Sequence, residues 1–210
     1  MPALRSFVHR EAERSPTGRY TLIHLINPHH PYVLTSNCDY TPGVETDGAA
    51  QAGCALTLVE ELVDELKALG RFDSSTIVIH GDHGAGLARD GDELVGFGPD
   101  VFGLPFSTGR SRPLLLVKPA GTGADAPLAT SDRPAMTTDV MATIFDSVDV
   151  PFEATSGRAS LIGEDFPDRP ERYYHFYDRA DFGLPAELVR YVIADGVLTK
   201  EPATIPVPAP

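Results

Sequence analysis

The chain lacks any apolar run approaching the ~20 residues that a membrane-spanning helix requires. Met1 to Arg14 is charged and holds no apolar stretch of the kind that opens a secretory signal. As written, the chain is expected to be soluble and without an export address: either it is cytoplasmic, or an exporting segment lies on another part of the protein. Cations are scarce, 17 Lys and Arg against 30 Asp and Glu, for a formal net charge of -13. Phosphate backbones are gripped by clustered Lys and Arg, so nucleic acid is not an expected partner. An anionic membrane surface would likewise repel the chain. A small anionic substrate stays open, provided a metal ion or local cations invert the field at the site. There is no Gly-x-Ser-x-Gly elbow, no phosphate-cradling Walker loop and no internal repeat. Cysteine is nearly absent. Cys38 sits in the polar turn Ser36-Asn37-Cys38-Asp39, and Cys54 near the start of a predicted helix. Oxidised, the pair would close a 16-residue loop, worth roughly 3 kcal/mol; the other reading is two unrelated thiols.

What remains is a soluble globular composition, 210 residues of which 42% are apolar and 22% charged, enough for a sizeable core. The 19 glycines and 19 prolines predict many turns. Leu4 to Arg14 reads as a short helix. Tyr20 to Ile26 (YTLIHLI) is apolar and β-branched, the pattern of a buried strand, with His24 inside it as a core histidine. Asn27-Pro28 stops that strand, and an irregular loop runs to about Ala49. From Ala50 to Leu69, Leu56, Val59, Leu62, Val63, Leu66 and Leu69 recur at helical spacing, with Gly70 after them as a C-cap. Ser75 to His80 and Leu114 to Lys118 read as strands covered on both faces, separated by a Gly-rich connection from Leu87 to Ser111. Thr137 or Thr138 caps a helix reaching Ser147, with Asp139 placed to complement its dipole. Tyr173 to Tyr177 and Leu188 to Ile193 are late strands, the second turning at Asp195-Gly196. Strands alternating with helices predict three α/β/α layers around a mostly parallel sheet. No linker divides the chain, so residues 1–200 are expected to form a single domain, with 201–210, four prolines among them, as an extended tail.

The chemistry concentrates where predicted strands end, which is where open α/β sheets place ligands. His80-Gly81-Asp82-His83-Gly84 offers a hard oxygen and an imidazole nitrogen on consecutive residues. Such neighbours point to opposite faces of a regular strand, but at a glycine-flanked turn they can converge. An Asp/His couple of this kind suits Zn²⁺, Mn²⁺ or a related ion; equally, the segment reads as a polar turn whose Asp caps the next segment of chain. Asn27-Pro28-His29-His30-Pro31 also comes directly after a predicted strand. A histidine there could bind a metal or donate to an anionic oxygen, or serve only a surface loop. Ser107, Thr108 and Ser111 have no obvious base beside them, so no nucleophile declares itself. Two protein ligands are few for a catalytic metal.

Taken together, these segments resemble the sulfatase-like hydrolases and transferases of the alkaline phosphatase superfamily. YTLIHLINPHHPY is similar to that family's substrate-histidine strand and loop. ELVDELKALGRFDSSTIVIHGDHG resembles its helix, turn and metal-binding strand end. RPLLLVKPAG is similar to the family's next strand, and TTDVMATIFDSVDVP to its late helix. The matching order spans roughly residues 20 to 151, and the closest flavour is the membrane-anchored branch of lipoteichoic-acid-synthase-like and phosphoethanolamine-transferase-like enzymes. The resemblance implies that Asp82 and His83 ligate one divalent metal ion (Mn²⁺, Zn²⁺, Ca²⁺ or Mg²⁺) and that His29 contacts the transferred group or the metal. It also implies an extracytoplasmic location, such as the periplasmic face, and with that a Cys38–Cys54 disulfide. The family's nucleophile and early acidic ligands belong to its N-terminal half. The chain is therefore expected to correspond to the C-terminal half of such a fold, its partner half carrying membrane helices. The implied reaction is metal-assisted in-line displacement on a sulfuric or phosphoric ester. The rivals are a non-catalytic, degenerate sulfatase-fold domain and a phosphoglycerate-mutase-like or phosphopentomutase-like metalloenzyme, which the Pro-His-x-Pro loop fits less well.

Overall fold

The structure, a computed structural model, describes residues 2–29, 31–44, 46–84, 88–90, 93–95, 109–151, 158–176, 187–194 and 197–206. Where the sequence showed no dividing linker, the chain falls into two compact units, residues 1–75 with 120–127 and residues 76–119 with 128–210. Both helices and strands are present, so the class is mixed α and β.

The first unit is helical. Helix α1 (Pro2–His9) leads into a 3₁₀ turn (Glu11–Glu13), close to the predicted helix. Helix α2 (Gly48–Ala68) starts where Asp47 accepts the Ala50 N–H at 2.7 Å. It ends in a Schellman arrangement: Gly70, at φ +64°, donates to Lys67 O at 3.0 Å, and Arg71 donates to Leu66 O at 2.8 Å. The predicted apolar stripe, however, is not the buried one. Leu56 is 55% exposed, whereas Gln51, Cys54, Ala55 and Leu58 are buried. These sit at i, i+3, i+4 and i+7, one face of the helix. Leu58 and Cys54 pack with Leu34 and Cys38, and Leu4 and Val33 lie against them. Cys38 and Cys54 are disulfide-bonded, with Cα atoms 4.9 Å apart, and Cys38 adopts φ +66° at the tip of a turn closed by a Leu34–Tyr40 bridge.

Residues 20–26 depart from the strand expected there. They form no strand, and Tyr20, Leu22, His24 and Ile26 are exposed. High β-propensity records a fit to a pleated, half-buried surface; among the described residues no strand pairs with this segment, so nothing supplies that surface.

The second unit holds strands β1 (Ile77–His80), β2 (Ala88–Asp90), β3 (Glu93–Val95), β4 (Leu115–Lys118), β5 (Glu171–Phe176), β6 (Glu187–Ala194) and β7 (Val197–Pro206), and helix α3 (Asp139–Asp146). The described sheets are all antiparallel, which corrects the mostly parallel expectation. β1 pairs β4 in the register Ile77↔Lys118 to His80↔Leu115. β2 pairs β3, and β5, β6 and β7 form a three-stranded sheet with an irregularity between Val189 and Tyr191. Short all-apolar runs look the same in either direction. The hydrogen-bond partners decide which forms. The core of this sheet is Val189, Tyr191, Ile193 and Leu198, with Tyr174 packed on it. Residues through Pro206 are not a tail: Thr204, Ile205 and Pro206 pair with β6. A proline is tolerable there because β7 is an edge strand. His30, Ser107, Thr108, Asp195, Gly196 and most of the Leu87–Ser111 connection lie outside the described residues.

No helix among the described residues is long and apolar enough to cross a membrane.

Candidate functional site

The Asp82–His83 turn is built by the pairing of β1 with β4. Past the last β1 residue, Gly81 N–H donates to Leu114 O at 3.0 Å, and Gly84 N–H donates to Arg110 O at 2.8 Å. The turn is pinned on both sides. Its glycines are required by close approach: a Cβ on Gly81 would stand 2.9 Å from His83 O, and one on Gly84 would stand 2.6 Å from Arg112 O. Backbone atoms cannot retreat as a side chain can. Gly84→Ala should therefore destabilise the second unit by about 1–3 kcal/mol, the ordinary toll of overpacking, and displace the His83 ring. A denaturation midpoint equal to wild type would contradict the packing.

Within the turn each residue keeps one donor atom available. Asp82 Oδ1 accepts the backbone N–H of His83 at 3.0 Å. His83 Nδ1 lies 2.7 Å from Gly84 O, and a carbonyl can only accept, so Nδ1 carries the proton and Nε2 keeps its lone pair. A carbonyl on the far nitrogen is the usual means of fixing a ligating imidazole. His83 Nε2 and Asp82 Oδ2 stand 3.7 Å apart, with the Asp82 side chain 81% exposed and that of His83 35% exposed. His80, at the end of β1, is exposed, and its Nδ1 lies 3.0 Å from Gly81 O.

No protein-family model, curated protein or solved structure matches this chain. Among the described residues no group of three or more His, Cys, Asp or Glu gathers as a metal would need, so Asp82 and His83 stand as a couple. His29 belongs to the first unit. It is exposed, in a turn where its N–H donates to Ile26 O at 3.0 Å.

The residue that sequence reasoning missed is Gln51. It lies on the buried face of α2 and is 1% exposed. Its Oε1 accepts Val33 N–H at 2.6 Å and Leu34 N–H at 3.0 Å. Its Nε2 donates to His29 O at 3.0 Å and to Asn27 O. The signal for it in the sequence is a polar residue one turn before Cys54 and two turns before Leu58, an amide on an otherwise apolar arc.

Proposed function

We propose that this chain carries the metal-binding strand end and the substrate-histidine loop of a sulfatase-like hydrolase or transferase acting on sulfuric or phosphoric esters. One observation carries the reading: His83 Nε2 and Asp82 Oδ2 are 3.7 Å apart, while the other polar atom of each is occupied by backbone. Nitrogen and oxygen ligands bound ~2.0–2.2 Å from one ion stand roughly 3–4 Å from each other, so the couple fits a shared divalent cation. A hard oxygen beside an imidazole suits Mn²⁺ or Zn²⁺ best, with Ca²⁺ and Mg²⁺ also accepted by the carboxylate. Bound there, the ion supplies Lewis-acid charge against the ester oxygens. Asp82 contributes the negative charge that holds the cation. His83 would bind through Nε2 as the Nδ1–H tautomer. By the resemblance, His29 is the histidine that would donate a hydrogen bond to the transferred group. The nucleophile is not among the residues that the resemblance assigns here.

Calorimetric titration of the 210-residue chain with Mn²⁺ or Zn²⁺ tests this. Binding in the micromolar range, lost in Asp82→Ala and in His83→Ala, is the expected result. Binding that survives both substitutions removes the couple from the metal site. The second reading, a degenerate sulfatase-fold domain without catalysis, draws on the count of two ligands among the described residues, and wild-type protein that takes up neither ion would favour it.

A further inference from the structure

We propose that Gln51 is the positioning residue for His29: it holds the Pro-His-x-Pro loop from beneath and so sets where the imidazole meets the ester. The inference deepens the proposed function and rests on His29 contacting the ester.

Pro28 and Pro31 have no N–H to give, and His29 N–H closes a turn onto Ile26 O. Helix α2 adds a further set of bonds. A buried primary amide can make four hydrogen bonds, two given and two accepted. Gln51 makes all four, and every partner is a backbone atom of residues 27–34. The two acceptor bonds hold Val33 and Leu34, on the far side of the loop. The two donor bonds hold Asn27 and His29, on the near side. His29 is thus gripped through its own carbonyl, while its ring stays exposed. The platform is firm. Asp47 caps the helix one turn before Gln51, and one turn after it Cys54 is covalently tied to Cys38. A functional group held by a side chain that is itself locked by packing keeps its geometry more closely than one on an unsupported loop.

The division of labour within the amide supplies the test. Gln51→Glu keeps the acceptor for Val33 and Leu34 and turns carboxylate oxygen toward two carbonyls. Gln51→Met keeps the volume and removes both sets of bonds. The His29 N–H is bonded to Ile26 O, so its exchange reports the turn that Gln51 holds by the His29 carbonyl: tracked by NMR on the full chain, it should lose at least tenfold protection in Gln51→Glu, with Val33, Leu34 and Leu58 unchanged. Gln51→Met should lose protection at all of His29, Val33 and Leu34. Lowering the pH should restore part of the His29 protection in Gln51→Glu alone, as the protonated acid regains one donor. Wild-type protection at His29 in Gln51→Glu overturns the proposal. So does loss of protection along the whole of α2 in both variants, which would make Gln51 a packing residue and nothing more. Titration with inorganic phosphate, monitored at the His29 ring, gives the second arm. Saturation in wild type with at least tenfold weaker binding in Gln51→Glu supports positioning, and equal binding in the two counts against it. A wild-type ring that ignores phosphate refutes the assignment of His29 to the ester, and the exchange result then judges Gln51 by itself.

Discussion

Replacing Asp139 by alanine should remove about 3–5 kcal/mol from the stability of the unit that contains it, the range for breaking a buried ion pair from one side. Asp139 is 0% exposed. Arg169 meets it with both ends of its guanidinium, Nη1 to Oδ2 at 2.6 Å and Nη2 to Oδ1 at 2.9 Å. Met136 N–H donates to Oδ2 at 2.8 Å and Ala159 N–H to Oδ1 at 3.0 Å. One carboxylate therefore joins the start of α3, the segment before it, the strand-free stretch near Ala159 and Arg169. Thr143 extends the network, donating to Asp139 O at 2.8 Å and accepting Leu161 N–H at 2.9 Å. Alanine would take the carboxylate from a guanidinium that is 8% exposed, where water compensates only in part. The pH dependence has a definite sign. Burial pushes the Asp139 carboxyl up, but the Arg169 bonds and the two backbone N–H groups outweigh it and hold the group below the ordinary carboxylate range. Its stabilisation is complete above the unfolded-state value of ~3.9 and is lost as pH falls through the lower folded value. Urea denaturation from pH 7 downward should show this acid-labile part in wild type and lack it in Asp139→Asn. A loss below about 1 kcal/mol in Asp139→Ala would contradict the account.

Glu11→Ala should destabilise the first unit by about 3 kcal/mol, the lower end of the same range. Glu11 is buried, and three arginines converge on it: Arg14 at 3.1 Å, Arg71 at 3.1 Å, and Arg19. Arg71 lies 60 residues away in sequence. It also donates to Glu11 O at 2.6 Å and to Arg14 O at 3.1 Å, fastening the N-terminal segment to the end of α2. The smaller figure reflects exposure: these guanidiniums are 15–29% accessible, so water recovers part of what the carboxylate supplied. Removing Glu11 also leaves three like charges facing one another. Burial raises the Glu11 pKa, the bonds from Arg19, Arg14 and Arg71 together lower it by more, and the net direction is down. Acid should therefore weaken this unit by the same sign as the other. Protection of α2 amides measured across pH reports it, and a flat profile below pH 5 would rule out this linkage.

The candidate site was partly legible because its signals are local. Gly81, Asp82, His83 and Gly84 are consecutive, and the crowding at Gly81 comes from His83 O within the turn, whereas that at Gly84 comes from Arg112 in the segment before β4. The tautomer of His83 was not legible, since it depends on how the ring folds back onto Gly84 O. Gln51 was invisible as anything but a helical residue. Its partners lie 17 to 24 residues earlier in the chain, and no periodicity within α2 encodes them.

By itself the sequence located several elements to within a few residues: the helix from about Ala50 to Leu69 that is α2, β1 and β4 as short apolar runs, α3 after Thr138, and β5 and β6 as late strands. Those boundaries come from caps, glycines and prolines, whose effects act over a few residues. Only the tertiary structure decided what each element faces. It buried the Gln51–Cys54–Leu58 arc of α2 and left Leu56 outside, set β1 against β4 in antiparallel register, turned Pro206 into the end of an edge strand and, among the described residues, left YTLIHLI without a paired strand. Burial and strand direction are properties of two surfaces meeting, and a one-dimensional pattern describes one surface at a time.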